Sequence, residues 1–192
     1  MSGYPELERA RTLRGAVCGV VAAAVWAAQQ PLDKRVFGSR YDDVEILGRA
    51  LTRGPHWYSV GVATHLLNGA LFGAFYANVA PELPIPASLR GPAMATTEHL
   101  ALWPLVTVTD RCHPARSELP VLSGSRRAWA QALWRHLLFG LVLGELERHL
   151  AGADQPEPPA EAADYSSNGH GRFEHAISVS TASDVEPVDD GD

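Results

Sequence analysis

The chain has 192 residues, of which 46% are hydrophobic and 20% charged, with two cysteines and a formal net charge of −6. Two cysteines exclude a disulfide framework and a cysteine-based zinc site, and basic residues scattered over separate loops exclude a nucleic-acid surface. The charge is unevenly placed: residues 151–192 hold ten Asp/Glu and one Arg, so residues 1–150 are mildly basic at +3, and the acidic total does not exclude an anionic membrane surface as a neighbour.

Residues 1–11 read as an N-terminal flank. The first apolar segment, Gly15–Leu32, contains no Asp, Glu, Lys or Arg. Three arginines precede it, so residues 9–30 also fit a signal peptide. Three similar segments follow, which favours a retained helix. Cys18 falls within this run and reads as packing. GAVC (15–18) is no lipidation box, because Val17 is too large for the position before the cysteine.

Loop 33–53 comes next and carries SRYDDVEILGRALTRG (39–54). Val44, Ile46, Leu47 and Leu51 follow a helical period there, which suits a helix capping a bundle or lying at an interface. The second segment, Gly54–Pro81, has no charge over 28 residues. The third, Gly91–Thr109, has one charge, Glu98, and the fourth, Ala128–Gly144, has one, Arg135. Between them, HPARSELPVLSGSRR (113–127) is punctuated by Pro and Gly and reads as an ordered loop.

A membrane-spanning helix needs about 20 mostly apolar residues. All four segments reach this length, giving expected spans at about 13–32, 57–80, 90–109 and 128–147. The fold expected is all-α, a four-helix transmembrane bundle over 12–150. The mean hydropathy of −0.09 supports a soluble bundle instead, but the tail and the charged loops depress that average. Residues 151–192, rich in Pro, Ala, Ser and acid, lack apolar periodicity and are expected to be disordered.

Glycines support the lipid setting. Gly15 and Gly19, Gly69 and Gly73, and Gly140 and Gly144 each stand one turn apart on one helix face. In water a mid-helix glycine costs about 1 kcal/mol against alanine, whereas in a bilayer it lets backbones approach closely. The faces could pack within one chain or between chains. Trp57, Tyr58, Tyr76 and Trp129 cluster at span ends, as an interfacial belt would.

HLLNGALFG (65–73) and HLLFGLVLG (136–144) share the pattern His-Leu-Leu-x-Gly-x-x-x-Gly. Arg14-Gly15 opens the first segment and Arg90-Gly91 the third. Trp26 precedes Asp33 by seven residues, as Trp103 precedes Asp110. These matches predict two tandem helical hairpins, a parallel internal repeat. Loops 33–53 and 110–127 then share a side. They hold nine Lys/Arg, against five at the other ends, which places both loops in the cytoplasm of a multi-pass protein of a bacterial inner membrane.

Ionisable groups within spans usually face the bundle interior with partners. The candidates are His65, Asn68, Glu98, His99, Arg135 and His136, and a Glu98–Arg135 pair is expected near mid-span. Glu145 and His149, one turn apart near a helix end, read as an exposed pair. No catalytic motif, metal site or cofactor signature is present: there is no phosphate-binding glycine loop, nucleophile elbow or His-Glu-x-x-His.

The expected function is therefore that of a non-enzymatic integral membrane protein, structural or accessory. Its partners would be the lipid bilayer and a homo-oligomer or larger membrane complex. A small transporter or proton-conducting unit using intramembrane His, Glu and Arg is the alternative. A haem redox protein using two of His65, His99 and His136 is a third. PLDKRVFG, YDDVE, HLLNGALFG, HPARSELP and WRHLLFG resemble a group of small bacterial multi-spanning membrane proteins of unknown function. The resemblance covers roughly 12–150 and implies a membrane location without an activity.

Overall fold

A computed structural model describes residues 4–153 of the chain. The acidic tail expected from residue 151 lies outside them, except for residues 151–153, which complete a helix. Secondary structure among the described residues is entirely helical. The helices are α1 (Tyr4–Phe37), α2 (Asp43–Leu51), α3 (Trp57–Val79), α4 (Ala87–Leu102), α5 (Val106–Cys112) and α6 (Arg126–Ala153), with 3₁₀ turns at Ala80–Glu82 and Trp103–Leu105.

Several boundaries differ from the sequence expectation. The N-terminal flank is helical from Tyr4. α1 also runs through Pro31, past the expected end at residue 32, to Phe37. Proline removes one backbone donor but does not by itself stop a helix whose neighbours keep it in place. Gly38 stops it, at φ 58, with the Ser39 N–H bonding back to the Lys34 carbonyl at 3.2 Å. The third apolar run is divided, since Pro104 sits in the 3₁₀ turn between α4 and α5. Two segments, Glu8–Phe37 and Trp57–Glu82, are long and apolar enough to cross a membrane. The other two runs fall short on that measure, the third because it is broken and the fourth because Arg135 interrupts it and charges flank it.

α1 packs along α3 on one side and along α6 on another, α4 packs on α6, and α2 lies on α3. Among the described residues α3 and α4 make no extended contact. Asp42 caps α2 by accepting from the Glu45 N–H at 3.0 Å. The buried Val44 and Gly48 turn toward α3, so this amphipathic stretch covers the bundle.

The glycine faces pack within the chain. A Cβ on Gly19 would strike the Gly69 carbonyl, and one on Gly73 the Gly15 carbonyl. Gly91 and Gly140 stand in the same relation across α4 and α6, with Gly144 beside Gly91. Only residues without a side chain permit backbones this close. The buried core over these contacts is small and aromatic: Cys18, Ala22, Trp26, Tyr76, Ala95, Phe139 and Leu143.

The two long loops meet at one end of the bundle. Arg49 Nη1 bonds Glu118 at 2.7 Å, Arg53 also pairs with Glu118, and the His113 ring lies 3.0 Å from the Ile46 carbonyl. At the opposite end Arg14 pairs with Glu147 at 2.8 Å, and Asn78 donates to Thr12 at 3.0 Å. The polarity of inside and outside is unusual. Arg135, Gln131 and Asp33 are among the largest fully buried side chains. Leu13, Val17, Val21 and Val25 form an exposed stripe on α1, and Leu67, Leu71 and Phe75 form another on α3.

Candidate functional site

Arg135 is fully buried where α6 faces the C-terminal end of α1 and the start of α2. Its Nε and Nη2 donate to the two carboxylate oxygens of Asp33 at 2.6 and 2.7 Å. Its Nη1 donates to Asp43 Oδ2 at 2.7 Å, and Nη2 also reaches the Tyr41 carbonyl at 3.2 Å. Gln131, one turn before Arg135, donates to Asp33 Oδ1 at 2.7 Å. The Trp26 indole N–H donates to Asp43 Oδ2 at 3.2 Å, and the Tyr41 hydroxyl donates to Asp43 Oδ1. The guanidinium also lies 5.1 Å from the centre of the Tyr41 ring. A planar fork held bidentately by one carboxylate and bonded to a second makes a buried ion group tolerable, and Gln131 Oε1 beside it has no hydrogen-bond partner among the described residues.

Burial pushes the Asp43 carboxyl up, but the Arg135 charge and the Tyr41 hydroxyl outweigh it, so its pKa falls below the ordinary carboxylate value. Burial, reinforced by the Asp43 carboxylate, holds the Tyr41 phenol well above its ordinary value. Asp110, at the end of α5, caps the other loop. Its carboxylate accepts from the N–H groups of Leu122 and Ser123 at 2.9 and 2.7 Å.

These contacts correct the expected Glu98–Arg135 pair. Arg135 faces α1 and the start of α2, whereas Glu98 lines a cavity on the open side of α4. Similar positions along two neighbouring helices do not put two side chains on facing sides. Among the described residues Glu98 has no ion-pair partner.

The cavity has a volume of about 270 Å³. It gathers five of the six expected polar residues, namely His65 and Asn68 from α3, Glu98 and His99 from α4, and His136 from α6. Arg135 stands behind it, in contact through Asp43, which also lines the wall. Trp26, Tyr41, Phe72, Trp103 and Phe139 supply aromatic walls. The rim carries exposed Asn68 and Leu102 and half-buried Glu98, on the two helices that fail to pack.

The histidines are fixed by different partners. His65 Nε2 lies 3.1 Å from the Ala23 carbonyl, so that nitrogen bears the hydrogen. His136 Nδ1 lies 2.7 Å from the Ala132 carbonyl, so there Nδ1 is the donor and the Nε2 lone pair is left free in the neutral ring. His99 is 2% exposed, and its Nε2 is buried with no hydrogen-bond partner. Its ring packs on Trp103 at 5.3 Å, Trp129 at 5.5 Å and His136 at 4.9 Å. Trp26 touches both His65, at 5.3 Å, and His136, at 4.8 Å.

With His99 and His136 in ring contact, there is no slot between them for a flat macrocycle. The rings could pass protons between nitrogens and hold a small polar ligand. Among the described residues no set of three His, Cys, Asp or Glu side chains is placed to hold a metal ion.

Sequence reasoning did not name Asp33, Asp43, Tyr41, Gln131 or Trp26 as partners of the buried arginine. The signal existed: Trp26, Gln30 and Asp33 recur on one face of α1, and Gln131 and Arg135 on one face of α6. Glu145 and His149 form the expected exposed pair, with Nε2 and Oε1 2.7 Å apart. Compared with known proteins, the chain matches no family model, no curated protein and no solved structure. The resemblance to small multi-spanning bacterial proteins rests on its motifs alone.

Proposed function

We propose that the chain is a non-enzymatic integral membrane protein, a four-span bundle that serves as a structural or accessory subunit. One observation carries the reading: the bundle hides Arg135, Asp33 and Gln131 and presents Leu and Val stripes outward. In water such stripes would be contiguous exposed apolar surface, which soluble monomers avoid. In a bilayer they face solvent of their own kind, and the buried charges pair inside.

In this reading α1, α3, the pair α4 with α5, and α6 are the spans. Support for two duplicated hairpins comes from their matching contacts: Gly15 and Gly19 meet α3, while Gly91 meets α6 with Ala95 buried on the same face. The joined loops 33–53 and 110–127 would lie in the cytoplasm by their arginine content. The partners are the lipid bilayer and a second copy or larger complex, reached through the outward stripes because the glycine faces are occupied within the chain.

The test is fractionation of cells expressing the full chain, followed by an alkaline carbonate wash. Retention in the washed membranes is expected. Release into the supernatant would overturn the spanning reading, the topology and the lipid partner together.

A second reading, a small transporter or proton-conducting unit, is favoured by the convergence of His65, Glu98, His99 and His136 on one cavity. In reconstituted vesicles it requires flux that Glu98→Gln abolishes while the protein remains folded. Loss of fold together with flux would leave only the structural reading.

A further inference from the structure

We propose that the cavity between α3 and α4 is a binding site for a small organic cation, an amine carrying a compact apolar group, with Glu98 as its counter-charge. Three features converge. The volume, about 270 Å³, lies near the lower end of small-ligand sites and is too small for a peptide. The walls are aromatic, with Trp26, Phe72 and Trp103 facing inward, and aromatic faces attract cations. Finally, a charged group on the cavity wall lacks a partner: among the described residues the half-buried Glu98 carboxylate has no ion pair.

A partly buried carboxylate without a partner is costly unless something satisfies it, and an ammonium N–H can donate to it. Charge decides the sign of the ligand. The acids lining the cavity are Glu98 and Asp43. The one nearby arginine is committed to Asp33 and Asp43, so an anion would meet carboxylates with no free cation to receive it.

The site depends on the cavity and not on the membrane reading, so release in the carbonate wash would leave it standing. Binding without flux would likewise separate it from the transporter reading. The test uses the purified full-length chain in detergent, with three probes of matched shape: benzylamine, benzyl alcohol and benzoate. Calorimetric titration is expected to show benzylamine saturating one site per chain, benzyl alcohol binding about tenfold more weakly or worse, and benzoate not binding. Glu98→Gln should bring benzylamine down to the level of the alcohol, while the exposed control Glu145→Gln should leave it unchanged. Equal binding of all three probes, a preference for benzoate, no binding of benzylamine, or full binding by Glu98→Gln would each overturn the proposal. If Glu98→Gln fails to fold, the charge series on the unaltered protein still decides.

Discussion

Arg135 and Glu98 stand on helices packed against each other, yet their surroundings are opposite. Arg135 is enclosed between α6, α1 and the start of α2, with its guanidinium donating to Asp33, Asp43 and the Tyr41 carbonyl. Glu98 looks across an open space toward a helix that α4 does not pack against. The first place is a finished ion group that ties three elements together. The second is an unfinished one, with a carboxylate and a histidine nitrogen still lacking partners. Within one bundle, the paired cation marks where the fold is held, and the unpaired carboxylate marks where something else can bind.

Substitutions should separate these two roles, and the largest effect is expected at the arginine. Arg135→Leu leaves Asp33 and Asp43 buried without their cation and should cost about 3–5 kcal/mol. Thermal melting in detergent would show this, and an unchanged midpoint would mean the ion group holds nothing.

Next come the glycines. Gly19→Ala forces a methyl into the Gly69 carbonyl and should cost about 1–3 kcal/mol by overpacking. Gly144→Ala meets the Gly91 Cα and the Tyr76 hydroxyl only at 3.3 Å, so it should cost clearly less. Equal costs would argue that the helices can slide apart freely.

The pH response of Asp43 is a finer probe. Its folded-state pKa lies below the ordinary value, which is about 3.9 for an unfolded chain. The stabilisation it contributes is therefore present above about pH 4 and lost as pH falls through the folded value. The stability gap between the native protein and Asp43→Asn should shrink on acidification below about pH 4, and a gap that widened would reverse the sign argued here. The smallest effect belongs to the cavity: Glu98→Gln should move stability by no more than about 0.5 kcal/mol, because no folded-state partner is lost.

Much of this was legible in the sequence, for identifiable reasons. Glycines one turn apart announced close helix contacts, and in the structure Gly15 and Gly19 meet Gly69 and Gly73 while Gly140 and Gly144 meet Gly91. The polar residues of the apolar runs stood out against their surroundings, and five of the six share a cavity. The partners of Arg135 were not legible in the same way. Asp33, followed by Lys34-Arg35 and preceded by Pro31, reads as the start of a loop, but α1 continues another turn and carries its carboxylate inside. Asp43 comes from a separate short helix whose placement depends on Gly48 meeting α3. Facing in a bundle depends on which helices neighbour each other, and local spacing does not encode that.

The ion group also has a consequence for how the protein is made. Asp33 and Arg135 are 102 positions apart, and α6 is the last of the described helices to leave the ribosome. Until it does, Asp33 lies in α1 without the cation that makes its burial tolerable. A nascent chain halted after α5 would already have its first glycine hairpin, but it would carry an exposed acid where the completed protein has none. That acid distinguishes an interrupted product from a finished one.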